Sequence, residues 1–519
     1  MNPAVIIPTF HAAPTKRGAS KPSNLYDHPT PLNEQGTLGR CLNSLQQVRG
    51  LGQVIILVAA EGGVEDEAAK KVQNIANQFP QMHTLIVGRA EAEIVQQRLD
   101  QLGFGGQQEA IGLTGYSAIR NLGLVVAQVL GFDSVVFIDD DETIEDEAFL
   151  EKAMYGLGKL TKKGIPILAK SGFYFNDEGT YYSKSQNRWY NHFWQQGRAF
   201  NNWISKAMSG PRLSRSNHVC GGCLALHRET YRRLSFDPWI LRGEDLDYLL
   251  NLRMYGSDIW FDNQWSLTHC PPRDRHEGHR FYRGIFRWVY EYYKIEFSRA
   301  QIDLLQIKPS SLMPYPGPFL EPGITKRIKR TAFLRSLARP DKKRYREGAK
   351  AAAGEATEYA QEHCMKYFEF QYTWGDIMAR MESDGGLRQA LVQAAIARQS
   401  GGEVVVEAAA PAGASADGAG NASDLLEPAV ANLDTQQARQ NANNYADCCG
   451  NYKGFHEVRK SYSSLMLSLI SAVMPGSRLA TAGSCTVICY GHITCDVYGA
   501  GGSSSRDRKS TRLNSSHCT

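Results

Sequence analysis

The sequence predicts an α/β protein built on a mostly parallel sheet, and three observations predict it. Short runs rich in Val, Ile and Leu alternate with stretches whose apolar residues recur at helical spacing, as Leu38, Cys41, Leu42 and Leu45 do. The strand-like runs are apolar throughout, the pattern of strands buried on both faces of a parallel sheet. One of them, Ser134 to Ile138, ends abruptly in Asp139, Asp140 and Asp141. In open sheets of this class ligands bind beyond the carboxyl ends of the strands.

Taken in order, the first strand is expected over Ala4 to Thr9, so its end is open to a ligand. The segment from His11 to Gln35 is too polar and too broken by Pro, Ser and Asn for either regular element and reads as a lid or binding loop. After the helix marked by Leu38 to Leu45 come a strand over Val54 to Val58, a helix with Val72, Ile75, Ala76 and Phe79 inward, and a strand over Thr84 to Val87. Strand, helix, strand repeated in this way predicts right-handed crossovers. A helix over Glu91 to Leu102 leads to Gly103-Phe104-Gly105-Gly106, which fails the dinucleotide fingerprint because Gln108 stands where the third glycine belongs; no P-loop is present either.

The helix over Tyr116 to Leu130 turns Leu122, Val125, Val126 and Val129 inward and delivers the chain to the acidic strand. Three adjacent carboxylates repel one another unless a cation sits between them, and oxygen ligands select a hard ion such as Mg²⁺ or Mn²⁺. The alternative is a helix from Asp139 to Leu157 with an acidic first turn. Further on, a strand is expected over Ile165 to Lys170, an aromatic loop over Phe173 to Trp203, and a strand-like stretch from His218 to Arg228 around Gly221-Gly222, where a ligand or backbone can approach closely. Glu244 and Asp245 open a helix that buries Leu246, Leu249 and Leu250. A short strand follows over Ile259 to Phe261, and Ser266 to His269 runs into Cys270-Pro271-Pro272. On the next helix Arg280, Arg283 and Arg287 share one face, and Phe281, Ile285, Trp288 and Tyr292 another.

At 519 residues and a net charge of +5, the chain has room for a large core and makes no global case for nucleic acid. Its one strong charge run, Lys326 to Lys350, holds eleven Lys or Arg against two acids; with Ile324, Ile328, Phe333, Leu334 and Leu337 it suits either an anionic membrane surface or a solvated helix face. Of eleven cysteines, six lie beyond residue 440, and Cys220 and Cys223 form a CxxC without a second pair or a His at zinc spacing. No leader and no run near eighteen apolar residues is found, so a cytoplasmic, reduced protein is expected, with peripheral membrane contact through 324–350. The expected organisation is an α/β domain over 1–300, a basic helical extension over 301–400 and a low-complexity, disordered tail over 401–519. Gly401 to Gly420 collapses to Ala, Gly, Glu and Ser, and 507–517 reads like translated adapter sequence.

Seven features occur in one order: Ile7-Pro8-Thr9, Ala118-Ile119-Arg120-Asn121-Leu122-Gly123, Asp139 to Asp141, Gly221-Gly222 with Arg228, Phe236-Asp237, Gly243-Glu244-Asp245-Leu246-Asp247 with Arg253, and His269. Over Pro3 to Tyr293 the chain thereby resembles the inverting, family 2-type glycosyltransferases of the GT-A nucleotide-sugar fold. The resemblance implies transfer of a hexose from a nucleotide-diphospho-sugar to an acceptor hydroxyl on a saccharide, a lipid-linked compound or a small molecule. It implies Asp139, Asp141 and His269 as ligands of Mn²⁺ or Mg²⁺ in a DxD-type run. It implies Pro8, Thr9, Glu61, Arg120, Asp139, Asp140, Gly221 and Gly222 on the donor side, and Asp245 as base with Glu244 beside it. Asp247 would hold structure or an acceptor hydroxyl, and Arg287 and Trp288 would meet acceptor or phosphate or else belong to a packed helix with a solvated basic side.

Two departures stand out. Glu61 replaces the aspartate that usually reads the nucleotide base, which leaves the base open. Gly284-Ile285-Phe286-Arg287-Trp288 lacks the glutamine of the processive signature, which disfavours polymer synthesis. A retaining transferase and a non-catalytic nucleotide-sugar binding protein stay open beside this reading. A sugar nucleotidyltransferase would open with a Gly-rich, Arg-containing loop, and Thr9-Phe10-His11-Ala12 is not one.

Overall fold

A computed structural model of the chain describes residues 1–14, 26, 29–184, 188–271, 277–352, 354–382, 384–402, 404, 406, 486–490 and 494–498. The first half runs β1 (Pro3–Ala12), β2 (Thr30–Pro31), α1 (Leu38–Leu45), β3 (Gln53–Ala60), α2 (Glu65–Ala76), β4 (His83–Val87), α3 (Arg89–Gln101), α4 (Tyr116–Leu130), β5 (Ser134–Phe137), β6 (Glu142–Thr143), α5 (Phe149–Met154), β7 (Ala169–Phe175) and α6 (Gln196–Met208). There follow β8 (Leu213–Arg215), β9 (Leu224–His227), α7 (Arg228–Tyr231), α8 (Glu244–Met254), β10 (Trp260–His269) and α9 (Glu277–Ser298). The helices α10 (Ile324–Ala338), α11 (Lys342–Ala351), α12 (Glu355–Met381) and α13 (Gly385–Gln399) come next, then β11 (Thr486–Tyr490) and β12 (Thr494–Tyr498).

In the unit Met1–Gly418, ten of the described strands form one sheet in the order β4-β3-β1-β5-β9-β7-β10-β6, with β2 beside β1 and β8 beside β10. The pairs β3–β4, β1–β3, β1–β5 and β7–β10 are parallel, whereas β9 runs antiparallel to both β5 and β7. The expected α/β class with a mostly parallel sheet is thus the one observed. Alternate strand residues feed two cores, one on each face: Ile6, Leu57 and Phe137 on one, Ile7, Ile56 and Val136 on the other. Burial on both faces is why these strands carry no polar alternation.

Several boundaries differ from expectation. The first strand does not stop at Thr9 but continues to Ala12, because β3 pairs with it as far as His11 opposite Ala60. Instead of a helix from Asp139 to Leu157, a turn and β6 follow the acids, and α5 begins only at Phe149. The supposed loop over Phe173 to Trp203 contains the start of α6, whose Trp203 and Ile204 are buried. Ile259 to Phe261 and Ser266 to His269 fall in a single strand, β10, whose register with β7 shifts between Phe261 and Ser266.

Residues 301–400 share their core with the sheet: Trp374, Met378 and Leu391 belong to the same apolar cluster as Ile6 and Leu57. Polar ties fasten these helices down. Trp374 Nε1 donates to Tyr231 O (2.9 Å) and Gln128 Nε2 to Met378 O (3.1 Å). Arg98 pairs with Asp384 (2.6 Å), both almost wholly buried, and Arg398 with Glu91 (2.7 Å). No described helix is long and apolar enough to cross a membrane. In the second unit, Ala419–Thr519, β11 and β12 pair antiparallel, Thr486 opposite Tyr498. Residues 15–25 and 27–28 of the expected binding loop, the Gly401 to Gly420 stretch beyond residue 406, and the adapter-like 507–517 lie outside the described residues.

Candidate active site

The acidic run sits where two strands of unequal length part. Ile6 is the last β1 residue opposite β5, and Ile138 N still donates to Ile6 O (3.1 Å), but β1 continues while the chain after Ile138 turns away. Glu142 closes that turn: its backbone N donates to Asp139 O (3.1 Å), and its carboxylate accepts from Asp139 N (2.9 Å). Pairing of Glu142 with His269 at the end of β10 then brings the imidazole to the acids, with His269 Nε2 3.3 Å from Asp141 Oδ2. The edge-on ring of Tyr174 lies 4.9 Å from His269 between centroids. On the outside, Arg40 from α1 donates to Asp141 O (3.4 Å) and Cys270 O (3.1 Å).

The three aspartates point to different partners. Asp139 accepts from Arg120 Nη2 (3.0 Å), Asp141 meets His269, and Asp140 turns toward β1, where Thr9 Oγ1 donates to it (2.5 Å). Burial, reinforced by Asp141 and Asp139, pushes Asp140 up to about 7. Glu142 is raised well above the usual carboxylate range by burial and by its acidic neighbours. Asp139 is also raised by burial, against the pull of Arg120, though its side chain remains 38% exposed. Burial lowers the His269 pKa, but the Asp141 and Asp139 carboxylates outweigh it and the net shift is upward. Burial is the larger cause for each acid, and the neighbouring carboxylates add to it.

A second pair of acids comes from α8. Gly243 starts that helix at φ +79°, and a Cβ there would overlap the Arg287 guanidinium, so both backbone and space favour glycine. Arg120, 3% exposed, joins the two halves. Its Nη2 holds Asp139, its Nε donates to Glu244 Oε1 (3.2 Å) and its Nη1 to Gly221 O (3.2 Å). The glycine pair permits this closeness. A Cβ at Gly221 would lie 3.1 Å from Arg120 Nη2 and 3.4 Å from Asp245 Cβ, and one at Gly222 would overlap the Glu142 carboxylate. Arg287 Nη2 approaches Asp245 Oδ1 to 3.6 Å. Burial raises the Glu244 pKa against the Arg120 charge.

The geometry therefore brings Asp139, Asp141, His269, Arg120, Gly221, Gly222, Glu244, Asp245 and Arg287 into one contiguous site, with Thr9 and Asp140 behind it. Asp247 takes the structural of the two roles expected for it, and its place among the acceptor-contacting residues is corrected. Two positions beyond Asp245 on a helix, it points to the opposite side. It is wholly buried and held by Lys294 Nζ (2.7 Å) and Asn251 Nδ2 (2.6 Å), so it meets no acceptor. Pro8 is likewise corrected from a strand end to a buried position within β1, opposite Leu57. Glu61 follows β3 and its carboxylate accepts from Ala13 N (3.0 Å) beside the end of β1. Trp288 is 4% exposed and lines a cavity of about 240 Å³ next to Arg287. The reading of residues missed Glu142, Arg40 and Tyr174, whose places depend on turns and strand pairings that periodicity does not encode.

Among the described residues, no group of three or more His, Cys, Asp or Glu side chains is arranged to hold a metal ion by itself. Of the expected set, Asp141 and His269 are in contact and Asp139 is engaged by Arg120. By donor chemistry, carboxylate plus imidazole beside acids of raised pKa fits a divalent ion of the Mn²⁺ kind.

No protein-family model matches the chain. No curated protein matches it either. Among solved structures it is similar to a mannosyltransferase of Pyrobaculum calidifontis in complex with GDP-Man and Mn²⁺, at 16% identity and a TM-score of 0.35, over 73% of this chain and 84% of that one. It is similar also to GalNAc-T7 with UDP, GalNAc and Mn²⁺ (13% identity, TM-score 0.31, 66% of this chain and 58% of that one). A third is mouse xyloside xylosyltransferase 1, apo form (14%, 0.23, 48% and 74%).

Proposed function

We propose that the chain is a metal-dependent, inverting glycosyltransferase that moves a hexose from a nucleoside-diphosphate sugar to an acceptor hydroxyl. One observation carries this reading: acids from the end of β5 and from the start of α8, about a hundred positions apart, meet across Arg120 and a glycine pair, with His269 on one flank and Arg287 on the other. Asp141 and His269, with Asp139 beside them, would hold Mn²⁺ or Mg²⁺, which when bound supplies positive charge to the departing diphosphate. Arg120 orients Asp139 and Glu244 by charge-assisted hydrogen bonds and, being buried, keeps that geometry without reorganisation. Gly221 lets Arg120 and Asp245 come close together, and Gly222 makes room for the Glu142 carboxylate. Asp245, with Arg287 from the adjoining cavity 3.6 Å away, takes the proton of the attacking hydroxyl.

The same reading includes a cytoplasmic setting, in keeping with five free cysteines among the described residues, and peripheral membrane contact through 324–350, in keeping with Phe333 and Leu337 lying 60% and 57% exposed on basic α10. The test is Asp245→Asn in the full chain. It should bind UDP- or GDP-sugars with Mn²⁺ as the parent does and lose about 10²- to 10⁴-fold in transfer, the span typical of a general base. Undiminished turnover would remove Asp245 from the role.

A further inference from the structure

Glu291, on α9 one helical turn beyond Arg287, is a buried acid that the proposed transfer does not use. It is wholly buried, and neither of its carboxyl oxygens has a hydrogen-bond partner. Protonation does not remove the cost of that arrangement, because an undissociated carboxyl still brings one donor and one acceptor out of water. Burial and then Asp247 hold its pKa well above the ordinary carboxylate range, against the pull of Lys294 and Arg287, and Asp237 adds to the rise. Such a group is retained at a cost unless it finds a partner in another arrangement of the side chains.

Lys294 and Arg287 both act on Glu291, but they are held differently. Lys294 is committed, its Nζ lying between Asp237 (2.6 Å), Asp247 (2.7 Å) and the Tyr367 ring (3.7 Å). Arg287 is held loosely. It reaches Asp245 from the wall of the adjoining cavity, which it shares with Arg242, Arg280 and Arg335. The 3.6 Å between its Nη2 and Asp245 Oδ1 is longer than a hydrogen bond, and its buried Nε has no partner. Residues four apart on a helix are neighbours on one face, so rotation about the side-chain bonds of Arg287 puts Glu291 within reach of its fork. Tyr315, hydrogen-bonded to Gln196, is acted on by Arg287, Asp245 and Glu291 alike, so all three charges lie near one phenol.

Resting on the transferase reading, we propose that Glu291 is a positioning residue that takes the Arg287 guanidinium in turn with Asp245. With Arg287 on Asp245, the positive charge stabilises the carboxylate and makes it a weak base. With Arg287 on Glu291, Asp245 is released to accept the proton of the attacking hydroxyl. In that step the hydroxyl oxygen bonds to the anomeric carbon, and the nucleoside diphosphate leaves with the electron pair of the broken bond. Once Asp245 is neutral it no longer draws the guanidinium, which stays on Glu291 until the proton passes from Asp245 to water. The missing Cβ at Gly243 opens the seat beside Asp245, and Glu291 supplies the other. Either protonation form of Glu291 offers an oxygen that accepts from the fork.

Two measurements on the full chain test this. Thermal unfolding without substrate compares Glu291→Met in the parent and in Asp245→Asn. In the parent, an apolar side chain in place of an unpaired buried carboxyl should leave the midpoint unchanged or raise it. In Asp245→Asn, where Glu291 is the carboxyl left to Arg287, the same change should lower the midpoint by about 5 °C or more. Equal shifts in the two backgrounds would overturn the alternation. The second measurement follows release of UDP or GDP from UDP- and GDP-hexoses with Mn²⁺. Glu291→Met should lower kcat about tenfold or more while the donor KM stays within about twofold of the parent's. Glu291→Gln, which keeps an acceptor oxygen for the fork, should recover most of that loss. An unchanged kcat in Glu291→Met, or no recovery in Glu291→Gln, would overturn the positioning role. Failure of the underlying reading registers separately, as a parent that releases no nucleotide from any of these donors, and it takes the positioning role with it.

Discussion

At His11, burial and then the nearby Lys71 charge hold the imidazole down to about 4, and the residue is only 3% exposed. The folded state therefore refuses a proton that the unfolded chain accepts near the ordinary histidine value. Stability from this residue is complete above about pH 6.5 and is lost as pH falls from there toward 4, by up to roughly 3 kcal/mol. His11→Asn should remove that slope, so the gap in unfolding midpoint between parent and variant narrows on acidification; a gap independent of pH would contradict it. From local pattern alone His11 is expected in a loop after the first strand. It is strand, because Ala60 of β3 continues the pairing that Thr9 was expected to end. At the same scale Asp140 shows why three adjacent acids are not three ligands. Neighbouring side chains leave the backbone in different directions, and this one is spent on Thr9.

Among the elements, α9 carries the most. Its site-facing end contributes Arg280, Arg287 and Trp288 to the cavity, while two turns on Lys294 lies wholly buried between Asp237 (2.6 Å) and Asp247 (2.7 Å), with Tyr290 also donating to Asp237 (2.8 Å). The Phe236-Asp237 and Asp247 features noted in the sequence thus meet on one ammonium, which anchors α9 against α8 and so sets the distance from Arg287 to Asp245. Lys294→Met would leave two buried carboxylates unpaired and should cost about 3–5 kcal/mol in denaturant unfolding. A loss below about 1 kcal/mol would show that the pair is not essential to the packing. From the sequence, the helical face of Arg280, Arg283 and Arg287 was legible, but not that its members part company. Arg283 reaches toward Leu241 O (3.5 Å) while the other two line the cavity.

Across the unit Met1–Gly418, residues far apart in sequence close the structure. Asp384 pairs with Arg98 at a separation of 286 positions and also accepts from Leu387 N (2.9 Å) at the start of α13. Asp384→Ala should destabilise the unit by about 3–5 kcal/mol, since it strands a buried guanidinium and removes a helix cap; retention of the parent's unfolding midpoint would exclude such a role. This pairing also explains why the stretch expected as an appended extension shares the core of the sheet. Its apolar faces at Tyr367, Phe368 and Phe370 were visible, but a helical stripe says only that something covers it and not what. By itself the sequence determined the parallel α/β layering, the acids at the end of β5, the glycine pair and the acidic opening of α8, because each is written in local pattern: periodicity, β-branched runs and charged first turns. Tertiary structure alone decided that Arg120 joins the two acid pairs, that Asp247 faces inward, and that arginines from three segments share one cavity. Those outcomes depend on side-chain direction and on contacts between distant segments, and no local pattern encodes either.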